Sequence, residues 1–275
     1  MRTLDRLLTC VLLSWIIAPT ARAQTDSVRV GGPRSRLFIR SDAALLATSL
    51  AFATLISLED RAVAAEVTET SMGGTAFGRF SSVGASIGGV GPIAFASGLW
   101  VSGHLASRPL LAHLGKWSIE SIAISGAATA VLKGVVGRKR PYAANGDADI
   151  YALGHGFGHY AFESFPSGHT SAAFAVATVL SLGTRNSSPL VHRTVSALAY
   201  TASTAVGLSR LYLNQHWSSD VIVGAAIGAT AGLAIVRRND AAFDRGSPLS
   251  VSHVLAHMSV APNSHHGLVV GYSIQ

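Results

Sequence analysis

Residues 164–183 read SFPSGHTSAAFAVATVLSLG, and the change of character at Gly168 decides how the chain is laid out. Before it stands a polar, proline-containing turn, and after it runs an apolar stretch of Ala, Val, Leu and Phe. Ser167 is suited to cap a helix beginning at Gly168, whose first N–H groups have no partner within the helix. Such an N-terminus attracts anions. Gly168 has no Cβ to hold a ligand off the backbone. His169 stands at that mouth, placed to donate a proton. The same residues also suit an ordinary helix cap followed by a surface histidine.

Outward from this point the apolar run is one of six, at about 43–58, 83–106, 110–132, 168–183, 191–209 and 219–236. All are rich in Ala, Leu and Gly. Gly84 and Gly88, and Gly224, Gly228 and Gly232, recur at four-residue spacing, which permits close helix packing. Strand and helix patterns do not alternate, so a doubly wound sheet is excluded. The expectation is an all-α unit, a six-helix core bundle over residues 42–238. Most runs hold only about 15–17 uncharged residues, short of the roughly 20 a perpendicular membrane span needs. The charged stretches between them, Glu59 to Glu69, Arg138 to Glu163 and Arg185 to Arg193, read as loops. Beyond Arg238 the composition shifts. In the tail 239–275, Val251–Ala261 and Leu268–Gln275 read as strands of a short β-hairpin around Pro262–Gly267.

Composition narrows the class. The 275 residues are 49% hydrophobic and 13% charged, which excludes disorder. Twenty-eight unphased glycines and one cysteine exclude collagen and disulfide scaffolds. So low a charged share points to a membrane protein or an unusually buried helical one. The net charge is +7, and only Lys116, Lys133 and Lys139 are lysines. An arginine-borne excess suits specific contact with phosphate more than a general basic face. No nucleic-acid module is present. Residues 1–23 read as a secretory signal, with Arg2 and Arg6, an apolar Leu7–Ala18 and an Ala21-Arg22-Ala23 cleavage site. A retained anchor is the alternative. If the signal is cleaved, Cys10 leaves with it. Residues 24–41, with Gly31-Gly32-Pro33, read as a linker.

Two further clusters carry chemistry. Lys133 and Arg140 are seven residues apart with Pro141 next. On a helix they share a face about 10 Å apart along the axis, an anion clamp that Pro141 then ends. The alternative is a basic patch facing lipid head groups. In Ser209-Arg210 to Asp220, His216 and Asp220 are four apart, neighbours on a helical turn. A carboxylate on one imidazole nitrogen leaves the other as acceptor or nucleophile. Asp220 also suits a plain helix cap.

Taken together these residues resemble the type 2 phosphatidic acid phosphatase / vanadium haloperoxidase superfamily. Its signature K-x6-R-P, P-S-G-H and S-R-x5-H-x3-D is filled by Lys133, Arg140, Pro141; Pro166, Ser167, Gly168, His169; and Ser209, Arg210, His216, Asp220. The resemblance implies that bundle type and a metal-independent, cofactor-free phosphatase. His216 attacks phosphorus, Asp220 orients it and supports its charge, and His169 protonates the leaving oxygen. Lys133, Arg140, Ser167, Gly168 and Arg210 bind the phosphate. Activity is expected to be bell-shaped on the acid-to-neutral side.

The expected substrate is a phosphorylated lipid: phosphatidate, an isoprenyl pyrophosphate or a lipid A phosphate. The alternatives are a periplasmic non-specific acid phosphatase on small phosphoesters, a vanadate-dependent haloperoxidase and a non-catalytic lipid-binding protein. Asp147 and Asp149 are set aside as a metal site. His155, His159 and Glu163 in the same loop are read as shaping substrate access, or as having no catalytic part. The expected place is the bacterial-type inner membrane with a periplasm-facing site, or else soluble or peripheral in the periplasm. A cleaved signal conflicts with the first reading: six spans counted from an outside Gln24 would put His216 in the cytoplasm.

Overall fold

The structure, a computed structural model, describes residues 40–71, 89–243, 258–263 and 267–272. The expected signal at 1–23, nearly all of the linker at 24–41, and Gly84 and Gly88 lie outside the described residues. The chain divides into two compact units, residues 1–236 and 237–275.

The described helices are α1 (Arg40–Ser57), α2 (Asp60–Ser71), α3 (Gly91–Leu105), α4 (Pro109–Val136), the single-turn α5 (Pro141–Ala144), α6 (Gly168–Gly183), α7 (Pro189–Tyr212) and α8 (Ser218–Phe243). Five of the six apolar runs fall in α1, α4, α6, α7 and α8, and the described part of the run at 83–106 lies mostly in α3. Local chemistry sets the starts. Pro109 and Pro189 sit in the first turns of α4 and α7, where their missing N–H costs nothing. Ser167 caps α6 by accepting from Thr170 N, and Ser188 caps α7 by accepting from Val191 N. That cap starts α7 at Pro189, inside the stretch 185–193 expected to be loop.

The segment from Asp60 is a second correction. It was expected to be loop because of its charges, yet it forms α2. Val63 and Val67, one turn apart, bury against Leu211 with Leu208, Tyr212 and Val221 around them. Ala62, Ala64 and Ala65 between the charges favour helix, and the Val63–Val67 stripe anchors it.

The main core joins Leu114 and Trp117 of α4, Val179 of α6, and Ile235 and Val236 of α8. Helix α3 packs on α4, α4 on α6, and α6 on α7. The expected glycine row of α8 lies against α6: a Cβ on Gly224 would stand 2.4 Å from the Ser167 carbonyl oxygen, and one on Gly228 2.1 Å from that of Ser171. Glycine is what lets the two backbones approach so closely.

Among the described residues two helices, Pro109–Val136 and Ser218–Asn239, are long and apolar enough to cross a membrane. The pair Asp42–Ser57 and Asp60–Val67, bent by 64°, adds a third if it counts as one span. With 15 and 16 residues, α3 and α6 are shorter than a perpendicular span requires.

In the second unit the hairpin is present. Strands β1 (Met258–Asn263) and β2 (Gly267–Tyr272) pair antiparallel with Val260 opposite Val270.

Candidate active site

The site gathers at one end of the helices, from the C-termini of α4 and α7, the N-termini of α6 and α8, and the connection between α4 and α6. Lys133 lies in the last turn of α4, which Gly137 ends in the left-handed conformation (φ 55°), its N–H bonding back to the Lys133 carbonyl. Arg140 therefore lies beyond the helix, in extended backbone, and Pro141 opens α5 instead of closing α4. The expected seven-residue helical clamp is not formed, because Gly137 stops the helix three residues before Arg140.

The two cations reach the site by separate routes. The Lys133 ammonium donates to the Glu163 carbonyl at 2.5 Å. Its Cε passes 3.7 Å from where a Gly168 Cβ would be. The clamp thus touches the α6 N-terminus. Arg140 donates to the Tyr160 carbonyl and to the backbone and side-chain oxygens of Gln215. Its guanidinium lies 4.1 Å over the Tyr160 ring.

His216 and Asp220 are also not on one helical turn, since α8 begins only at Ser218. The His216 Nδ1–H donates to the Ser164 carbonyl at 2.6 Å, while the Asp220 carboxylate stands 3.8 Å away. That gap exceeds hydrogen-bond reach, so Asp220 acts on the ring through charge and through Ser164. The Ser164 hydroxyl donates to Asp220 Oδ2 at 2.6 Å, and Trp217 N–H donates to the same oxygen. A carbonyl only accepts, so Nδ1 carries the proton and Nε2 is the basic nitrogen.

At the head of α6, the Ser167 hydroxyl is engaged with Thr170, and the Ser167 N–H donates to the Asp220 carbonyl. His169 follows in the first turn. Burial and then the charges of Arg210, His216, Lys133 and Arg140 push its pKa down to about 4. These are the groups the sequence singled out, and their fields meet at one imidazole. His216 is likewise held near 4 by burial, with Lys133 and Arg140 adding and the Asp220 charge opposing. Arg210 is buried, and its Nη2 has no hydrogen-bond partner among the described residues. A desolvated guanidinium N–H left open is costly unless an anion fills the place in front of it.

Sequence reasoning passed over Arg138, Asp60, Ser164, Gln215 and Tyr160. Arg138 is buried between Asp60 and Asp220, at 2.8 and 2.6 Å. It stood in plain view inside the R-K-R run, but nothing in its spacing separates it from Lys139. Asp60 is 78 residues upstream of Arg138, and no local pattern connects them. Of the remaining loop residues, Asp147 and Asp149 both bind Arg61 at 2.7 Å on the surface, and His155 tilts against His159.

A helical bundle with three cations and two imidazoles at one end, three of the five in the terminal turns of helices, is an oxyanion-binding arrangement. Residues 115–244, a little under half of the chain, match the model of the PAP2 superfamily. It is similar to a lipid A 1-phosphatase of Porphyromonas gingivalis, 44% identical over 72 residues, 26% of this chain and 15% of that protein. A lipid A 1-phosphatase of Rhizobium johnstonii is 33% identical over 117 residues, 42% of this chain and 44% of that one. The chain thus spans less than half the length of these curated relatives. Among solved structures, the first transmembrane PAP2 type phosphatidylglycerolphosphate phosphatase from Bacillus subtilis shares the fold. Its TM-score is 0.52 at 20% identity, covering 73% of this chain and 95% of that one.

Proposed function

We propose that this protein is a metal-independent phosphatase that hydrolyses lipid phosphomonoesters or pyrophosphates through a phosphohistidine at His216. The observation that carries the reading is the buried imidazole pinned at Nδ1 by a carbonyl, with the charge of a buried guanidinium that has an open donor falling on the second imidazole, His169. In the first step the Nε2 lone pair forms the N–P bond while the bond from phosphorus to the leaving oxygen breaks. His169 gives that oxygen its proton. In the second, water attacks phosphorus, surrenders a proton to His169, and the N–P bond breaks to free phosphate. Lys133, Arg140 and Arg210 neutralise the equatorial oxygens, and the N–H groups at Gly168 add hydrogen bonds.

A lipid substrate is supported by what surrounds the pocket. The connection after the apolar α4 leaves Leu153, Phe157 and Tyr160 exposed at 79%, 69% and 60%. Phe157 lies over Gly134, next to Lys133, and Tyr160 over Arg140. Exposed apolar groups so close to a phosphate clamp suit an acyl or isoprenyl body at a bilayer interface. The relatives named lipid A 1-phosphatase support a lipid A type phosphate as one such substrate.

Phosphate release from lipid A, phosphatidate and an isoprenyl pyrophosphate, in detergent with a chelator present, tests the reading. Hydrolysis of none of them removes it. In a Leu153→Ser/Phe157→Ser double variant the KM for the lipid substrate rises about tenfold, from roughly 1–1.5 kcal/mol of apolar contact. Activity on p-nitrophenyl phosphate stays as it was. Equal effects on both substrates would argue against lipid docking at this rim.

We also place the site on the periplasmic side of the membrane. The opposite ends of the site helices carry Arg108, Arg185, Arg193, Arg237 and Arg238, the bias expected of a cytoplasmic face.

The pH dependence follows from the two imidazoles. Below about pH 4 His216 is protonated and has no lone pair, so kcat/KM falls tenfold per unit on that side. His169 is held near 4 by burial and then by the surrounding cations; a bound phosphate reverses the field of those cations and raises it. The basic limb of kcat therefore lies at higher pH than a free-enzyme pKa of about 4 permits. His169→Gln loses that limb. A variant profile that keeps it would take the acid role away from His169. Both rings bind fewer protons folded than unfolded between about pH 4 and 6.5, so stability drops as pH falls through that window.

A further inference from the structure

The buried corner beneath His216 holds one guanidinium and two carboxylates. Arg138 Nη2 donates to Asp60 Oδ2 at 2.8 Å and Nη1 to Asp220 Oδ1 at 2.6 Å, and all three side chains are at most 1% exposed. Asp60 accepts from the Ser218 hydroxyl at 2.5 Å, from Ser219 N–H at 3.0 Å and from the Ser219 hydroxyl at 2.6 Å. A side chain from α2 thus caps the start of α8. Arg138 is held further by the Ala148 carbonyl and lies 5.4 Å from the ring centre of Trp217. From Asp60 an unbroken series runs through Arg138, Asp220 and Ser164 to the imidazole of His216. Asp60 lies outside the residues 115–244 that match the superfamily.

We propose that Asp60 and Arg138 are positioning residues for phosphoryl transfer. By dividing Arg138 between two carboxylates, Asp60 leaves the corner with one uncompensated negative charge, which Asp220 presents to His216. The inference rests on the reading of His216 as nucleophile. The imidazole gains positive charge as the N–P bond forms, and a net negative corner stabilises that charge in the transition state. With Asp60 neutral, Arg138 belongs wholly to Asp220 and the corner has no net charge. Two buried carboxylates around a single arginine are otherwise an expensive arrangement.

The test uses the full-length protein in detergent. Asp60→Asn keeps the shape and removes one charge. At an effective dielectric near 20, losing a buried charge that reaches the ring only across Arg138 and Asp220 costs roughly 10- to 100-fold in kcat. KM, which reports phosphate held by the cations, stays within about twofold. The acid limb of kcat/KM moves down by about one pH unit, because removing a negative charge disfavours the imidazolium. The charges facing His216 are otherwise unchanged: Asp220 of α8, Lys133 of α4, Arg140 of the connection and His169 of α6.

The double variant Asp60→Asn/Arg138→Gln restores the single negative charge on Asp220, so its kcat recovers well above that of Asp60→Asn and its acid limb returns. If Asp60→Asn does not accumulate, the double variant is read alone, and a kcat near wild type with the acid limb in place supports the proposal. Wild-type kinetics in Asp60→Asn overturn it. So does activity lost only in proportion to unfolded protein with the acid limb unmoved, or a double variant as slow as the single. Retained turnover in His216→Ala would instead remove the nucleophile itself, whatever Asp60→Asn shows.

Discussion

Replacing His216 by alanine abolishes phosphate release and, with it, any phosphorylated form of the protein. The loss is expected to reach at least about 10⁴-fold, because covalent catalysis has no substitute once its nucleophile is gone. The geometry makes this a sharp test. Only a ring whose Nδ1–H is committed to a carbonyl offers Nε2 alone for attack, and His216 is committed in that way to Ser164 at 2.6 Å. Wild-type protein incubated with labelled substrate and quenched in alkaline detergent should carry acid-labile, base-stable phosphate, and His216→Ala should carry none. Asp220→Asn should retain some turnover, since Asp220 stands 3.8 Å from the ring and Ser164 still holds it. His155→Ala and His159→Ala, in the exposed part of the connection, should turn over at the wild-type rate. Labelled phosphate on the His216→Ala protein would move the nucleophile elsewhere and leave the pocket without its stated chemistry.

The spacing of the signature made the membership of the pocket legible and its internal geometry less so. Helical periodicity was applied across two places where the helix does not run. Gly137 turns left-handed at φ 55° and breaks the reading of Lys133 with Arg140, while the late start of α8 at Ser218 breaks that of His216 with Asp220. In both, the side chains converge through tertiary packing of loops, which a period of 3.6 residues does not describe. The six apolar runs were readable because burial imposes a long, uniform signal. The charges of α2 concealed it for the same reason in reverse: Asp60 and Arg61 look like solvated loop residues. One is completely buried on Arg138 and the other clasps Asp147 and Asp149. A charge whose partner lies 78 residues away leaves no local trace.

Substituting Gly224 by alanine should damage both the fold and the site, and the reason ties the two together. The added Cβ would meet the Ser167 carbonyl oxygen at 2.4 Å, and the obstacle is backbone, which has no rotamer to escape into. Helices α6 and α8 must separate, at a cost of about 1–3 kcal/mol or more, read as a fall in melting temperature of roughly 3–10 °C. Gly228→Ala meets the Ser171 carbonyl at 2.1 Å and the Ala175 nitrogen at 2.9 Å, and should destabilise comparably. Gly126→Ala, on the exposed side of α4 with nothing within 4 Å, should hold or raise stability by up to about 1 kcal/mol through helix propensity. Activity then separates the first two. Gly224 sits under the residue whose N–H holds the Asp220 carbonyl at 3.0 Å, so moving it shifts the phosphate-binding turn relative to His216. Gly228 lies one turn deeper. Assayed well below both melting temperatures, Gly224→Ala should lose at least about tenfold more kcat/KM than Gly228→Ala, since small displacements of catalytic groups are costly. Equal losses would mean that the glycine row serves packing alone, and that the turn at Ser167 holds its place without α8.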